Sequence, residues 1–167
     1  MVLLFFNIAP VYAETAAEDL QSGNDYFSQG YFDQAIIEYT KAIDIDPNYA
    51  KAYDNRGVAY AKEGSFSRAI ADFTMAIANN LNDAEAYNNR GHAYDNQGNL
   101  TQAISDYTQA IRINSIYAKA YNNRSLAYYS LKEYDQAWAD VHKVEELGGS
   151  LNPNFIQELR KASGRDR

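Results

Sequence analysis

Residues 52–77 read AYDNRGVAYAKEGSFSRAIADFTMAI, and the same text returns at 86–111 as AYNNRGHAYDNQGNLTQAISDYTQAI and at 120–144 as AYNNRSLAYYSLKEYDQAWADVHKV. A looser copy precedes them, carried by Gly23, Tyr26, Gly30, Ala35, Tyr39 and Ala42. Subtraction fixes the register. Gly23, Gly57, Gly91 and Ser125 stand 34 residues apart, as do Tyr26, Tyr60, Tyr94 and Tyr128, and Ala35, Ala69, Ala103 and Ala137. A fixed period of this length means stacked copies of one supersecondary unit rather than one irregular core.

Each copy contains two helical patterns. Tyr53, Arg56, Gly57 and Tyr60 recur at steps of three and four and so share one helical face. After Gly64 a second face begins, with Phe66, Ala69, Ile70, Phe73, Ala76 and Ile77. Two short amphipathic helices joined by a tight turn form an αα-hairpin, and Gly30, Gly64 and Gly98 suit that turn because glycine accepts positive φ. Gly57 and Gly91 fall inside helices, where glycine costs about 1 kcal/mol relative to alanine. Close helix approach is the expected compensation. One hairpin cannot bury its apolar face alone, so neighbouring copies must stack.

A 34-residue period with glycine, tyrosine and alanine at these offsets resembles the tetratricopeptide repeat family. The resemblance implies an all-α fold, a right-handed α–α superhelix of four helix-turn-helix repeats at 16–49, 50–83, 84–117 and 118–151. Asn152 offers an N-cap to a further helix with Pro153 at its first position. Phe155, Ile156 and Leu159 share one face of that helix, which is expected to cap the last repeat over 152–163. Gly164 to Arg167 is expected to be a solvated terminus. The first repeat closes with Asp46-Pro47, a helix stop. The second and third close with Asn80 and Asn114, where left-handed asparagine is the expected substitute. The fourth repeat departs most, with Ser125 for the first-helix glycine and Lys132 for the turn glycine.

Composition narrows the function. The chain has 167 residues and no cysteine, which excludes disulfides, thiolate metal sites and cysteine nucleophiles within it. The formal charge of −7 argues against a nucleic-acid partner, which asks for a basic face. Two histidines, His92 and His142, fall in different repeats, and no nucleophile-elbow, zincin or P-loop pattern occurs. Neither an enzyme nor a cofactor is expected. Residues 1–13, MVLLFFNIAPVYA, carry no charge and end in Val-Tyr-Ala before Glu14, the small-x-small pattern of a secretory leader. No Lys or Arg precedes the apolar run, so a disordered or helix-packing N-terminus and a cytoplasmic location are the alternative. The run is too short to span a bilayer. A secreted or periplasmic product with no membrane insertion after cleavage is the expectation.

Two recurrent polar features exceed core packing. Arg56, Arg90 and Arg124 are each followed, sixteen residues on, by Asp72, Asp106 and Asp140. Because the carboxylate always accompanies the arginine, an intra-repeat ion pair is preferred over an anion-binding ladder. Repeat one, with Ser22 and Glu38, lacks the arginine. The second feature is the amide run Asn55, Asn89 and Asn123 beside Asp54, Asn88 and Asn122. In the family the first helix of each repeat lines the groove. That resemblance implies that Asn24, Lys51, Asn55, Asn88, Asn89, His92, Lys119, Asn122, Asn123 and Tyr129 face a ligand. Asparagine offers both a donor and an acceptor, which suits the backbone of an extended peptide.

The function implied is therefore a non-catalytic scaffold or adaptor holding a peptide or helix of another protein. Self-association through exposed repeat faces, as a homo-oligomer, is the alternative. The family's carboxylate clamp for chaperone tails is not expected. Asn24 and Asn55 match it, but Leu20, Glu85 and Asn89 stand at its cationic positions.

Overall fold

The computed structural model describes residues 9–165. They form helices only, with no strand among the described residues, and fall into two compact units divided between Leu81 and Asn82. The first holds α1 (Ala9–Ser28), α2 (Phe32–Ile45), α3 (Ala50–Lys62) and α4 (Phe66–Asn79). The second holds α5 (Ala84–Asn96), α6 (Leu100–Ile113), α7 (Ala118–Ser130), α8 (Tyr134–Glu146) and α9 (Pro153–Ser163). Residues 1–8 of the expected leader lie outside the described residues, while Ala9–Ala13 open α1. None of the described helices is long and apolar enough to cross a membrane.

The hairpin turns follow from backbone chemistry. Gly30, Gly64 and Gly98 adopt φ of 81°, 75° and 77°, and the following N–H reaches back to the preceding helix. Tyr31 N donates to Tyr26 O at 3.0 Å, Ser65 N to Tyr60 O at 2.8 Å and Asn99 N to Tyr94 O at 2.9 Å. This six-to-one bond closes the carbonyls of a helix end and needs a left-handed residue just before it. In the fourth repeat Glu133 N makes the same bond to Tyr128 O at 2.9 Å, and Lys132 takes the left-handed conformation at φ 62°. Turn geometry is kept there against side-chain preference.

The asparagine ends differ from expectation. Asn80 and Asn114 have φ of −145° and −130°, the extended backbone that Asp46 also adopts at −126°. No left-handed residue is needed at these stops. At Asn114 the side chain instead accepts from Ile116 N at 3.2 Å, as Asp46 accepts from Asn48 N at 3.0 Å. Side-chain acceptor strength, shared by Asp and Asn, is what the position selects.

The helix-interior glycines have a steric cause. A methyl group on Gly57 would stand 2.8 Å from a ring carbon of Phe73, and one on Gly91 2.8 Å from the ring of Tyr107. One on Gly23 would stand closer still to the Tyr39 ring, at 2.5 Å. Each ring packs against the first helix of its own repeat and is fully buried. At the fourth repeat the ring position is Val141 and the glycine position Ser125, both fully buried, so the smaller partner leaves room for the larger.

Each Arg–Asp pair bridges the two helices of its hairpin in bidentate fashion. Arg56 Nε and a terminal nitrogen donate to the two Asp72 oxygens at 2.7 and 2.8 Å. Arg90 repeats this on Asp106 at 2.7 and 2.8 Å, and Arg124 on Asp140 at 2.8 and 2.7 Å. Hydrogen bonding to Asp72 and Asp106 raises the pKa of Arg56 and Arg90 against the opposing effect of burial. Within unit one, Arg56 also donates to Thr40 of α2 at 2.9 Å; within unit two, Arg124 donates to Thr108 of α6 at 2.9 Å. The guanidinium thus ties its own hairpin to the hairpin before it. In repeat one, Glu38 pairs instead with Lys41 at 2.7 Å.

Helix α9 caps unit two as its apolar face requires. Phe155 and Leu159 are buried with Ala137, Trp138 and Val141, and Trp138 Nε1 donates to Ser163 Oγ at 3.0 Å. Asn152 caps its start by accepting from Asn154 N at 2.9 Å, and Gly164 ends it at φ 67°. Beyond it, Arg165 is not merely solvated: it reaches back to Asp135 at 2.7 Å.

Candidate amide-lined binding faces

In unit one, the first helices of repeats one and two are linked by amides. Asn55 Nδ2 on α3 donates to Asn24 Oδ1 on α1 at 2.7 Å, and the same oxygen accepts the Tyr39 hydroxyl of α2 at 2.9 Å. One carbonyl thereby joins three helices and satisfies two donors. Burial pushes the Tyr39 hydroxyl up to about 12, with the Asn55 side chain acting against it. Lys51 is exposed and extends to Asp54 at 3.4 Å, while Asp54 itself is buried. Of the predicted residues here, Lys51 presents its side chain to solvent, and Asn24 and Asn55 are half-buried and spend polar atoms on each other.

Unit two is built differently from the same register. Asn123 Nδ2 on α7 donates to Asn88 Oδ1 on α5 at 3.0 Å. Asn88 is only 1% exposed, so it is a seam residue and does not present itself to a ligand. Position 88 corresponds to Leu20 in repeat one, which packs on the core of Ala35, Tyr39 and Ala59. Tyr129 also leaves the expected set. Its ring packs edge-on against Phe155 at 5.6 Å and near Tyr134 at 6.0 Å, so it belongs to the seam that receives α9. Asn89 and Asn122 are half-buried, and His92 and Lys119 are exposed. The His92 ring lies 3.3 and 3.5 Å from Asn96 Nδ2, which also donates to the His92 carbonyl at 2.8 Å.

One residue of this site escaped the sequence reading. Tyr107 corresponds to Tyr39, yet its hydroxyl is buried without a partner, and so is Asn88 Nδ2. Burial first, then the charges of Asp95 and Asp106, push the Tyr107 hydroxyl up. The signal was present: Phe73 fills the same register position, so packing there does not require a hydroxyl.

Family models match most of the repeat region. One described as TPR repeat covers residues 23–64, and two described as tetratricopeptide repeat cover 84–117 and 118–143. A solved structure, the first TPR of Spaghetti (RPAP3) bound to HSP90 peptide SRMEEVD, is 32% identical, with a TM-score of 0.70 over 71% of this chain and 94% of that one. MamA protein is 28% identical, with a TM-score of 0.80 over 91% of this chain and 84% of that one. Hsp70-Hsp90 organizing protein 1 of Arabidopsis thaliana is 44% identical over 43 residues, which are 26% of this chain and only 8% of that protein's length.

Proposed function

The chain belongs to the tetratricopeptide repeat family, and from that premise we propose that it is a non-catalytic adaptor holding a segment of a partner protein against the first helices of its repeats. The observation that carries this reading is the similarity, over 94% of its length, to a domain solved with a peptide in place. The exposed residues support it. Once the Asn24–Asn55 and Asn88–Asn123 pairs are set aside, Lys51 in one unit and His92 and Lys119 in the other still present polar side chains from first helices, with half-buried Asn89 and Asn122 beside them.

The partner differs in chemistry from an acidic chaperone tail. Such a tail wants cations where this chain has Leu20, Glu85 and Asn89, and Leu20 is committed to the core. Export by a leader ending at Ala13 is part of the same proposal. Cleavage there would shorten α1 by five residues and leave the register from Ala16 intact. The mass of the protein recovered from its own cells checks this, since the mature chain should start at Glu14.

The test of the adaptor reading is affinity capture from the organism's extracts, with the native chain and a triple variant, His92→Ala, Lys119→Glu and Asn122→Ala, side by side. The expected result is a protein retained by the native chain and lost by the variant, with melting temperatures equal within error. Capture of the same proteins by both, or only of further copies of the chain, would refute it.

A further inference from the structure

The seam by which a first helix meets the hairpin before it has a fixed chemistry. Ala52, Arg56 and Ala59 of α3 recur as Ala86, Arg90 and Ala93 of α5 and as Ala120, Arg124 and Ala127 of α7. All six alanines are fully buried. Ala59 packs with Ala35 and Tyr39, and Ala127 with Ala103 and Tyr107, while Arg56 and Arg124 reach back to Thr40 and Thr108. One period earlier, on α1, the same positions hold Glu18, Ser22 and Asp25. Spaced by four and three, they share one helical face. Glu18 and Asp25 are exposed, Ser22 is half-buried, and Gln21 beside them donates to Asp25 at 2.8 Å. An apolar hairpin could not cover this face without stripping water from two carboxylates, which is costly unless they are paired. What suits it is a polar face that brings cations.

The far end of the chain carries such a face. Helix α9 buries Phe155 and Leu159, and Asn154, Gln157, Arg160 and Lys161 on its opposite side are exposed. Glu158 falls on the flank between the two sides. Neither Arg160 nor Lys161 enters an ion pair among the described residues, and neither does Glu18 or Asp25. On a chain of charge −7, a helix face with cations and no carboxylate is a departure from the average. We propose that this face of α9 on one copy docks on the Glu18–Ser22–Asp25 face of α1 on a second copy, with Arg160 and Lys161 paired to Glu18 and Asp25. The contact is head-to-tail, so each added copy leaves one face of each kind open. Exposed pairs are individually weak, so the association is modest and salt-sensitive. It does not depend on the adaptor reading, because His92, Lys119 and Asn122 take no part in it.

The test is sedimentation velocity of the full chain over a range of concentrations. The native chain should gain mass with concentration at about 50 mM salt and return to monomer at about 0.5 M, where charges are screened within a few ångströms. Glu18→Lys with Asp25→Lys gives a chain with cations on both faces, and Arg160→Glu with Lys161→Glu gives one with carboxylates on both. Each should be monomeric alone with its melting temperature kept, and an equimolar mixture should assemble again, because every face then meets its opposite. Glu18→Gln with Asp25→Asn, which preserves size, should weaken association at least several-fold. A native chain that stays monomeric at low salt, assembly that survives either charge reversal, or a mixture that stays monomeric would overturn the proposal. The His92→Ala, Lys119→Glu and Asn122→Ala variant should assemble like the native chain, so loss of a captured partner and loss of self-association are read separately.

Discussion

At the scale of single residues, the chain is governed by pairs. Gly57 and Phe73 are one such pair: the ring occupies the space a side chain on α3 would need. Gly57→Ala should therefore lower stability by about 1–3 kcal/mol through overpacking, although alanine is the better helix former. Adding Phe73→Val to Gly57→Ser, which copies the Val141 and Ser125 of the fourth repeat, should recover part of the loss of Gly57→Ser alone. A double-mutant cycle by thermal melting measures that coupling, and simple additivity would contradict the pairing. Arg90 and Asp106 are a second pair. Arg90→Ala leaves the Asp106 carboxylate, 8% exposed, without its bidentate partner, and should cost about 3–5 kcal/mol. An unchanged melting temperature would mean that the arginine is there for a ligand instead.

At the scale of elements, the helices and their order were legible in the sequence because the 34-residue register repeats four times, with Tyr and Ala recurring at the same offsets in all four copies and Gly in the first three. The turns were legible where glycine marks them. Lys132 was visible only as a departure, and its φ of 62° shows that the turn imposes its geometry on whatever residue occupies it. A non-glycine residue in left-handed backbone costs roughly 1–2 kcal/mol. Lys132→Gly should raise the melting temperature by about 2–4 °C for each kcal/mol recovered in a chain of this size. No change would mean that the lysine side chain contributes an offsetting contact. The amides were read less well, for a physical reason. Spacing tells which face of a helix a residue occupies but not whether a neighbouring helix takes its hydrogen bonds. Asn88 and Tyr129 were expected at a ligand face and lie in seams between helices instead, because Asn123 and Phe155, far along the chain, meet them there. Tyr107 was passed over because a tyrosine at a core position looks the same whether or not its hydroxyl has a partner.

For the molecule as a whole, much of the conspicuous chemistry is structural. The three recurring arginines are spent on hairpins, and the Asn55 and Asn123 amides on links between first helices. What remains for a partner is a smaller set of exposed and half-buried side chains on those first helices, on a chain whose charge of −7 favours a protein over a nucleic acid. The measurement that tests this most directly is photocrosslinking in native extract, with a benzophenone amino acid placed at His92 on a first helix or at Ile37, which is 55% exposed on the second helix of repeat one. The account expects a partner protein joined at position 92 and absent at 37. Equal yields at the two positions, or adducts at 92 made only with further copies of the chain, would contradict it.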